Sequence, residues 1–270
     1  MTISIKICYR MLKLFIFLFI AQTAFLLSSC SRFKLISTLP VYDGFENSNR
    51  SNIWDTDKFV PGDVEIQSKI VRSGQRAIKI TLHAGDLHEV GQHGSYPTER
   101  AELTETDELI SQEGKNYAYS FSMFFPADFP VVETRLVIAQ WKQECPRGGI
   151  CNDNSPVLAI RYISGFLKIT QNIDSHQTTL YKSKEEFRNR WLDFKFHICF
   201  SKNNNGRIIA HLNDSLIVDH TGPTAYQENR STGYLDPSCF YFKIGLYREV
   251  MSEPMTIYID DYRKELLLDK

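Results

Sequence analysis

The sequence lacks an excess of charge of either sign. Its 270 residues include 31 lysines and arginines and 32 aspartates and glutamates, which gives a formal net charge of -1. A near-neutral chain gives no global reason to expect nucleic acid or a membrane surface as a partner. A local basic cleft is still compatible with this balance, so the composition does not exclude an acidic ligand.

Internal repeats, low-complexity tracts and convincing linkers are also missing, and long apolar runs are confined to the N-terminus. There, Lys6, Arg10 and Lys13 precede "LFIFLFIAQTAFLL". A membrane span needs ~20 residues, so this shorter run fits the apolar region of an export signal. The following "LLSSC" resembles a bacterial lipobox, which implies lipidation of Cys30; an ordinary signal peptide is the alternative.

We therefore predict three segments: a lipoprotein signal at residues 1–29, a lipid-anchored tether at 30–41 and one domain at 42–270. The protein would be exported and held by acyl chains at the periplasmic or outer-membrane face of a bacterial membrane, or else secreted. Nothing in the sequence calls for an oligomer, so a monomer is expected.

Cysteine is scarce. Beyond Cys30 the domain has four cysteines: Cys145, Cys151, Cys199 and Cys239. Four cysteines allow three pairings, and the turn-forming "PRGGI" between the first two favours a local disulfide there. The spacing does not suit a tetrahedral zinc site.

Alternating patterns dominate the domain, as in "AIKITLHA", "WLDFKFHICF" and "CFYFKIGLY". About a dozen such segments, separated by turn residues, predict an all-β fold: a two-sheet antiparallel β-sandwich of jelly-roll, concanavalin-like type with a concave groove. Only "KSKEEFRNR" (182–190) has helical character.

Three strands carry polar side chains on one face and apolar ones on the other. The polar positions are Thr98, Arg100, Glu102 and Thr104; Gln140 and Lys142; and Tyr241, Lys243, Gly245 and Tyr247. We expect Gly245 to let a ligand approach the backbone. By themselves these patterns predict a wet sheet face that binds something anionic.

The segments "RAEL", "QW" and "YFKIGLYR" resemble the strand motifs of jelly-roll polysaccharide lyases. Family 7 alginate lyases carry Arg-x-Glu-Leu, Gln-x-His and Tyr-Phe-Lys-x-Gly-x-Tyr, and the family 20 glucuronan lyases and heparin lyase I-like enzymes share a related arrangement. In this chain Trp141 and Lys142 follow Gln140, so the family 7 histidine is missing. This departure points to the glucuronan and heparin lyase branch, in which His93, or its neighbour His88, takes the histidine's place. The resemblance covers most of residues 42–265.

The resemblance implies β-elimination on an anionic polysaccharide that contains uronic acid. Arg100 and Gln140 would neutralise the uronate carboxylate. Tyr247 would transfer protons, either alone or as the acid beside His93 as the base. The substrate-binding set is completed by Lys243, Lys142, Glu102, Arg248 and Tyr241, where Glu102 orients Arg100 and Arg248 has the opposite strand parity.

Two other functional classes have weaker support in the sequence. A glycoside hydrolase needs two carboxylates roughly 5–10 Å apart, and no Glu-x-Asp-x-x-Glu motif is present. A non-catalytic carbohydrate-binding lipoprotein would use aromatic platforms, but Trp54, Trp141 and Trp191 are scattered. No redox or nucleotide cofactor is expected; "DTD" and "DPS" are too sparse for a calcium loop, which leaves room only for a structural calcium ion.

Overall fold

Alternating apolar and polar residues fold most of the chain into β-strands. The computed structural model describes residues 39–47, 51–55, 58–86, 97–144, 155–173, 176–227 and 237–268. Within those ranges it contains sixteen strands and a short 3-10 turn at Asp107–Leu109. The predicted all-β sandwich is confirmed.

Eight strands form sheet A. They are β1 (Val41–Asp43), β3 (Val64–Gln67), β4 (Ala77–Leu82), β7 (Asn116–Phe125), β12 (Arg190–Cys199), β13 (Arg207–Leu212), β14 (Ser215–Thr221) and β16 (Met255–Leu267). Their order is β14-β13-β12-β7-β16-β4-β3, and β1 also pairs with β16.

The other eight strands form sheet B. They are β2 (Trp54–Asp55), β5 (Thr98–Glu105), β6 (Ser111–Gln112), β8 (Leu136–Gln143), β9 (Leu158–Ile163), β10 (Phe166–Ile173), β11 (His176–Ser183) and β15 (Cys239–Glu249). Their order is β11-β10-β9-β8-β15-β5-β2, and β6 also pairs with β15. Three strands far apart in sequence, β8, β15 and β5, are therefore neighbours in the sheet.

The core fills the space between the sheets. Phe242 of β15 packs against Trp141 of β8 and Tyr262 of β16, with ring centroids 4.8 and 5.8 Å apart. Because side chains alternate along a strand, burying Phe242 and Trp141 in the core turns Lys243 and Gln140 to the outer face of sheet B.

The helical character of "KSKEEFRNR" does not lead to a helix in the structure. Ser183 ends β11 and Arg190 begins β12, and the residues between them form a loop. Phe187 is buried in the core and Asn189 has a positive φ of 57°. Anchoring one aromatic side chain in the core outweighs the weak helix propensity of so short a segment.

A buried ion pair joins the two sheets. Lys264 of β16 donates from Nζ to Glu105 Oε2 of β5 at 2.9 Å and also to the Leu109 carbonyl oxygen. The Tyr262 hydroxyl donates to the other oxygen of Glu105. Burial lowers the pKa of Lys264 against the opposing effect of Glu105, and burial beside Glu105 raises the pKa of Tyr262.

The predicted signal, Cys30 and nearly all of the tether lie outside the described residues, as do Cys145 and Cys151, so lipidation and the local disulfide stay predictions. Cys199 and Cys239 are both buried. In the part of the chain that the structure describes, no helix has the length and apolar character of a membrane span.

Candidate active site

The three predicted polar strand segments lie on adjacent strands of sheet B. Tyr247 of β15 lies opposite Arg100 of β5, and Lys243 lies opposite Gln140 of β8. Strand pairing alone therefore brings together side chains that are 40 to nearly 150 residues apart in the sequence. The segments lie on one face because every second residue beside them is buried in the core.

Glu102 links two of these side chains beneath the surface. Its carboxylate is 0% exposed. It accepts a hydrogen bond from Gln140 Nε2 at 2.5 Å and lies 3.3 Å from Arg100 Nε. A buried carboxylate held this way orients its partners, so the predicted orienting role agrees with the geometry, whereas direct substrate contact by Glu102 does not.

Tyr247 is surrounded by guanidinium groups. The Cζ atoms of Arg100 and Arg135 lie 4.6 and 5.4 Å from the centroid of its ring. A third guanidinium, that of Arg161 on β9, is 8% exposed and donates from Nε to Thr170 Oγ1 at 3.0 Å. Burial, with the nearby Arg135 adding to it, lowers the pKa of Arg161 to about 10.

The sequence interpretation missed Arg135 and Arg161. A signal for Arg161 was present, since it is the one charged residue in the otherwise apolar and aromatic segment "VLAIRYI". Strand alternation could not identify Arg135, because a β-bulge changes which residues at the start of β8 face outward. Ile244 pairs with Ala139, whereas Tyr247, three residues later, pairs with Val137, only two residues away from Ala139. Bulges of this kind re-aim side chains.

Gly245 sits in this bulge, with a φ of +147°. A Cβ added there would lie 2.2 Å from the Ala101 carbonyl oxygen and 2.8 Å from the Glu102 Cα. The expectation that this glycine makes room for a ligand is therefore corrected: it makes room for β5. The close approach fixes the position of Tyr247 relative to Arg100.

We expect Gly245→Ala to lower the free energy of unfolding. The positive φ alone costs on the order of 1–3 kcal/mol for a residue with a side chain, and the backbone overlap adds to this. Urea unfolding followed by circular dichroism measures the change. Gly62→Ala is the matched control, because φ there is +103° but nothing lies within 4 Å of the added Cβ. Equal losses in the two variants would contradict the role assigned to the close approach.

Three further predicted residues extend the polar face along β15 and β8. Lys243 is 5% exposed, and its Nζ lies 5.5 Å from the centroid of the Tyr241 ring. Tyr241 pairs across the strands with Lys142. These side chains form a continuous polar surface beside Gln140, on the side away from Tyr247.

Arg248 does not belong to this surface. Its guanidinium is 0% exposed and pairs with Glu99 at 2.8 and 2.9 Å. It also donates to the carbonyl oxygens of Glu253 and Met251. The expected substrate contact is therefore corrected to a structural role, because the parity of β15 turns this side chain away from the outer face and into a buried ion pair.

The predicted histidines, His93 and His88, lie outside the described residues. Their assignment as a base or as a carboxylate neighbour stays a prediction.

One group among the described residues has metal-ligand chemistry. Atoms of Asp63, His83 and Asp86 lie within 4.8 Å of one another. His83 Nδ1 is 3.1 Å from Asp86 Oδ2 and 3.5 Å from Asp63 Oδ1. An imidazole between two carboxylates satisfies this arrangement without an ion. The expectation of no cofactor, with a structural calcium ion left open, therefore stays a prediction.

Comparison with known structures gives the same fold. The chain matches an endo-β-1,4-glucuronan lyase from the fungus Trichoderma reesei with a TM-score of 0.63 and 16% identity, over 84% of this chain and 95% of that one. The alginate lyase from a Corynebacterium species matches with a TM-score of 0.51 and 16% identity, over 77% and 82%. A GH131 β-glucanase catalytic domain from Podospora anserina matches with a TM-score of 0.52 and 13% identity, over 90% and 93%.

At these identities the structural matches show the fold alone, and two different kinds of enzyme share it. No curated protein sequence matches the chain. The decisive finding is the match of residues 41–263 to the family model described as polysaccharide lyase. Because that match spans all sixteen strands but the last four residues of β16, the chain belongs to the polysaccharide lyase family.

Proposed function

We propose that this lyase cleaves an anionic polysaccharide at a uronic acid unit by β-elimination, with Arg100, Gln140 and Tyr247 around the reacting sugar. The observation that carries the proposal is the pairing of Tyr247 with Arg100 on adjacent strands, next to a Gln140 side chain held by the buried Glu102. The glucuronan and alginate lyases that share the fold act on polymers of this chemical class.

The chemical difficulty is the weak acidity of the C5 proton beside a charged carboxylate. Removing that proton moves negative charge onto the carboxylate oxygens and gives an enediolate. Arg100 supplies a fixed cation with parallel donors, which suits a carboxylate. Gln140 supplies an amide near the same position. Preorganised donors of this kind stabilise the developing charge without reorganisation.

Proton transfer is assigned to Tyr247. In one form of the reaction the Tyr247 phenolate takes the C5 proton, the C4–O4 bond breaks, a C4=C5 double bond forms, and the phenol returns the proton to the departing O4. In the other form His93 takes the C5 proton and Tyr247 protonates O4.

The polar face along Lys243, Tyr241 and Lys142 would contact sugar units next to the reacting one. Two cationic side chains and a phenol on one surface suit acidic units with exposed hydroxyl groups. Glu102 is buried and held by Arg100 and Gln140, so it is not available as the general acid of a hydrolase.

The test is a panel of polymers: glucuronan, alginate, heparin and hyaluronan. We expect the purified domain, residues 39–270, to produce the ultraviolet absorbance of an unsaturated uronate from at least one of them. A neutral β-glucan is the matched control and should give no absorbance. New reducing ends without the chromophore would instead assign hydrolysis, the alternative suggested by the β-glucanase of the same fold. Binding without either product would assign a non-catalytic carbohydrate-binding protein.

A further inference from the structure

A row of basic side chains crosses sheet B at right angles to its strands, starting at the candidate site. The strand register aligns Arg100, Tyr247, Val137, Arg161, Lys168 and Lys182 as successive neighbours on β5, β15, β8, β9, β10 and β11. We call Arg161, Lys168 and Lys182 the basic row. At ~4.8 Å between strands, it continues for roughly 19 Å from Tyr247.

The basic row lies on the outer face of the sheet. Leu167 and Ile169, the neighbours of Lys168, are buried in the core, so Lys168 points outward. Lys182 is its direct cross-strand partner and is exposed. Residues that pair directly across an antiparallel ladder share a face, which places the two ammonium groups and Arg161 on one surface.

The described strands that carry the basic row have no acidic residue. The strands β9, β10 and β11 contain no aspartate or glutamate. Among the described residues, no ion pair involves Arg161, Lys168 or Lys182. Lys182 instead lies over the ring of Phe166, with its Nζ 4.2 Å from the centroid.

The outer face of sheet A differs, because lysines there are paired with carboxylates. Lys195 Nζ lies 2.5 Å from Asp214 Oδ1, and Lys79 Nζ lies 2.8 Å from Glu65 Oε1. Interspersed charges of both signs are ordinary for a soluble surface, whereas a stripe of one sign attracts a ligand of the opposite sign. Because both sheets belong to the same protein, its overall composition does not explain why cations are paired with carboxylates on sheet A but not along the basic row of sheet B.

The row also has a direction. On the other side of the site, β2 brings Asp55 opposite Thr104 of β5, and Asp55 is exposed. The three cations of the row lie on β9, β10 and β11, so a polyanion is favoured over those strands.

We propose that the basic row binds the acidic sugar units that follow the reacting unit on one side, so that the groove holds several consecutive carboxylate-bearing units from Tyr247 towards β11. This rests on the proposed function for the reacting unit. The ligand class is a polymer with a carboxylate on successive sugars, because the cations recur on three adjacent strands without a neutral gap.

The experiment is affinity electrophoresis of the purified domain in native gels that contain alginate or glucuronan, at low and moderate salt. We expect Lys168→Gln with Lys182→Gln to weaken the apparent affinity by roughly tenfold, as two partly exposed ion pairs would. The salt dependence of retardation should also become shallower, because fewer charge contacts are left to screen. Lys195→Gln on sheet A removes one positive charge outside the row, and its mobility in the polyuronate gel relative to a polymer-free gel should equal that of the parent protein.

The two proposals fail separately. If the parent protein forms the unsaturated product but the double variant is retarded as strongly as the Lys195→Gln protein, the basic row is overturned and the proposed function stands. If retardation depends on Lys168 and Lys182 but no polymer yields the chromophore, the basic row stands and the elimination chemistry is overturned. If neither polyuronate retards the parent protein, the basic row is overturned.

Discussion

Replacing Tyr247 with phenylalanine should lower the rate of elimination by about 10²–10⁴-fold, the usual contribution of a positioned proton-transfer group. The ring would still pack beneath the guanidinium groups of Arg100 and Arg135, which lie over its face at 4.6 and 5.4 Å. Only the hydroxyl is lost. The expected pattern is therefore a large fall in kcat with little change in polymer binding.

The measurement is the initial rate of unsaturated uronate formation on the best polymer of the panel, together with retardation in a gel that contains the same polymer. Tyr258→Phe is the matched control, since Tyr258 lies on β16 of sheet A and packs on Phe124. Full activity of Tyr247→Phe would remove this residue from the mechanism. A large loss of polymer retardation in Tyr247→Phe would show a binding role instead.

The sequence predicts which side chains of the candidate site share a strand face, because strand alternation is a local property. Arg100, Gln140 and Tyr247 could be placed on wet faces from their apolar neighbours alone, and Arg248 was already on the wrong parity for a substrate contact. Alternation does not specify the register, that is, which residues pair across neighbouring strands. The row that aligns Tyr247 with Arg161 depends on the order of β8 and β9 in the sheet and on a bulge at Ile244–Tyr247, and neither is encoded within a single strand.

Gly245 illustrates the same limit. A glycine in a strand predicts a close approach of some kind, but not of which partner. Only the structure identifies the partner as the backbone of β5 at Ala101. The glycine therefore sets how closely β15 and β5 bring Tyr247 and Arg100 together.

The fold by itself does not determine the reaction, since a β-glucanase shares it with uronate lyases. Because one fold can host different reactions, the chemistry has to come from particular side chains, and the proposed site places them on the outer face of sheet B. On that face the carboxylate at the centre, Glu102, is buried and paired, while cations surround the phenol of Tyr247. Such a site suits stabilisation of negative charge on a substrate rather than protonation by a carboxylic acid.

The second large effect concerns stability. Lys264→Met should lower the free energy of unfolding by about 3–5 kcal/mol, because removing one member of a buried ion pair leaves the other charge uncompensated. Lys264 and Glu105 are both 0% exposed and belong to different sheets. At roughly 2–4 °C per kcal/mol for a domain of this size, the midpoint of thermal unfolding should fall by about 6–20 °C.

Urea unfolding at neutral pH measures the change, and Lys195→Met is the control: it removes an exposed ammonium from sheet A and should shift the free energy of unfolding by no more than about 0.5 kcal/mol. Lys264→Met combined with Glu105→Gln should cost less than the sum of the two single changes, because the double variant no longer buries an unpaired charge. Additive losses, or a Lys264→Met protein as stable as its parent, would show that the pair does not hold the sheets together. The position of β5 on sheet B would then have to come from its ladder with β15 and its apolar face alone.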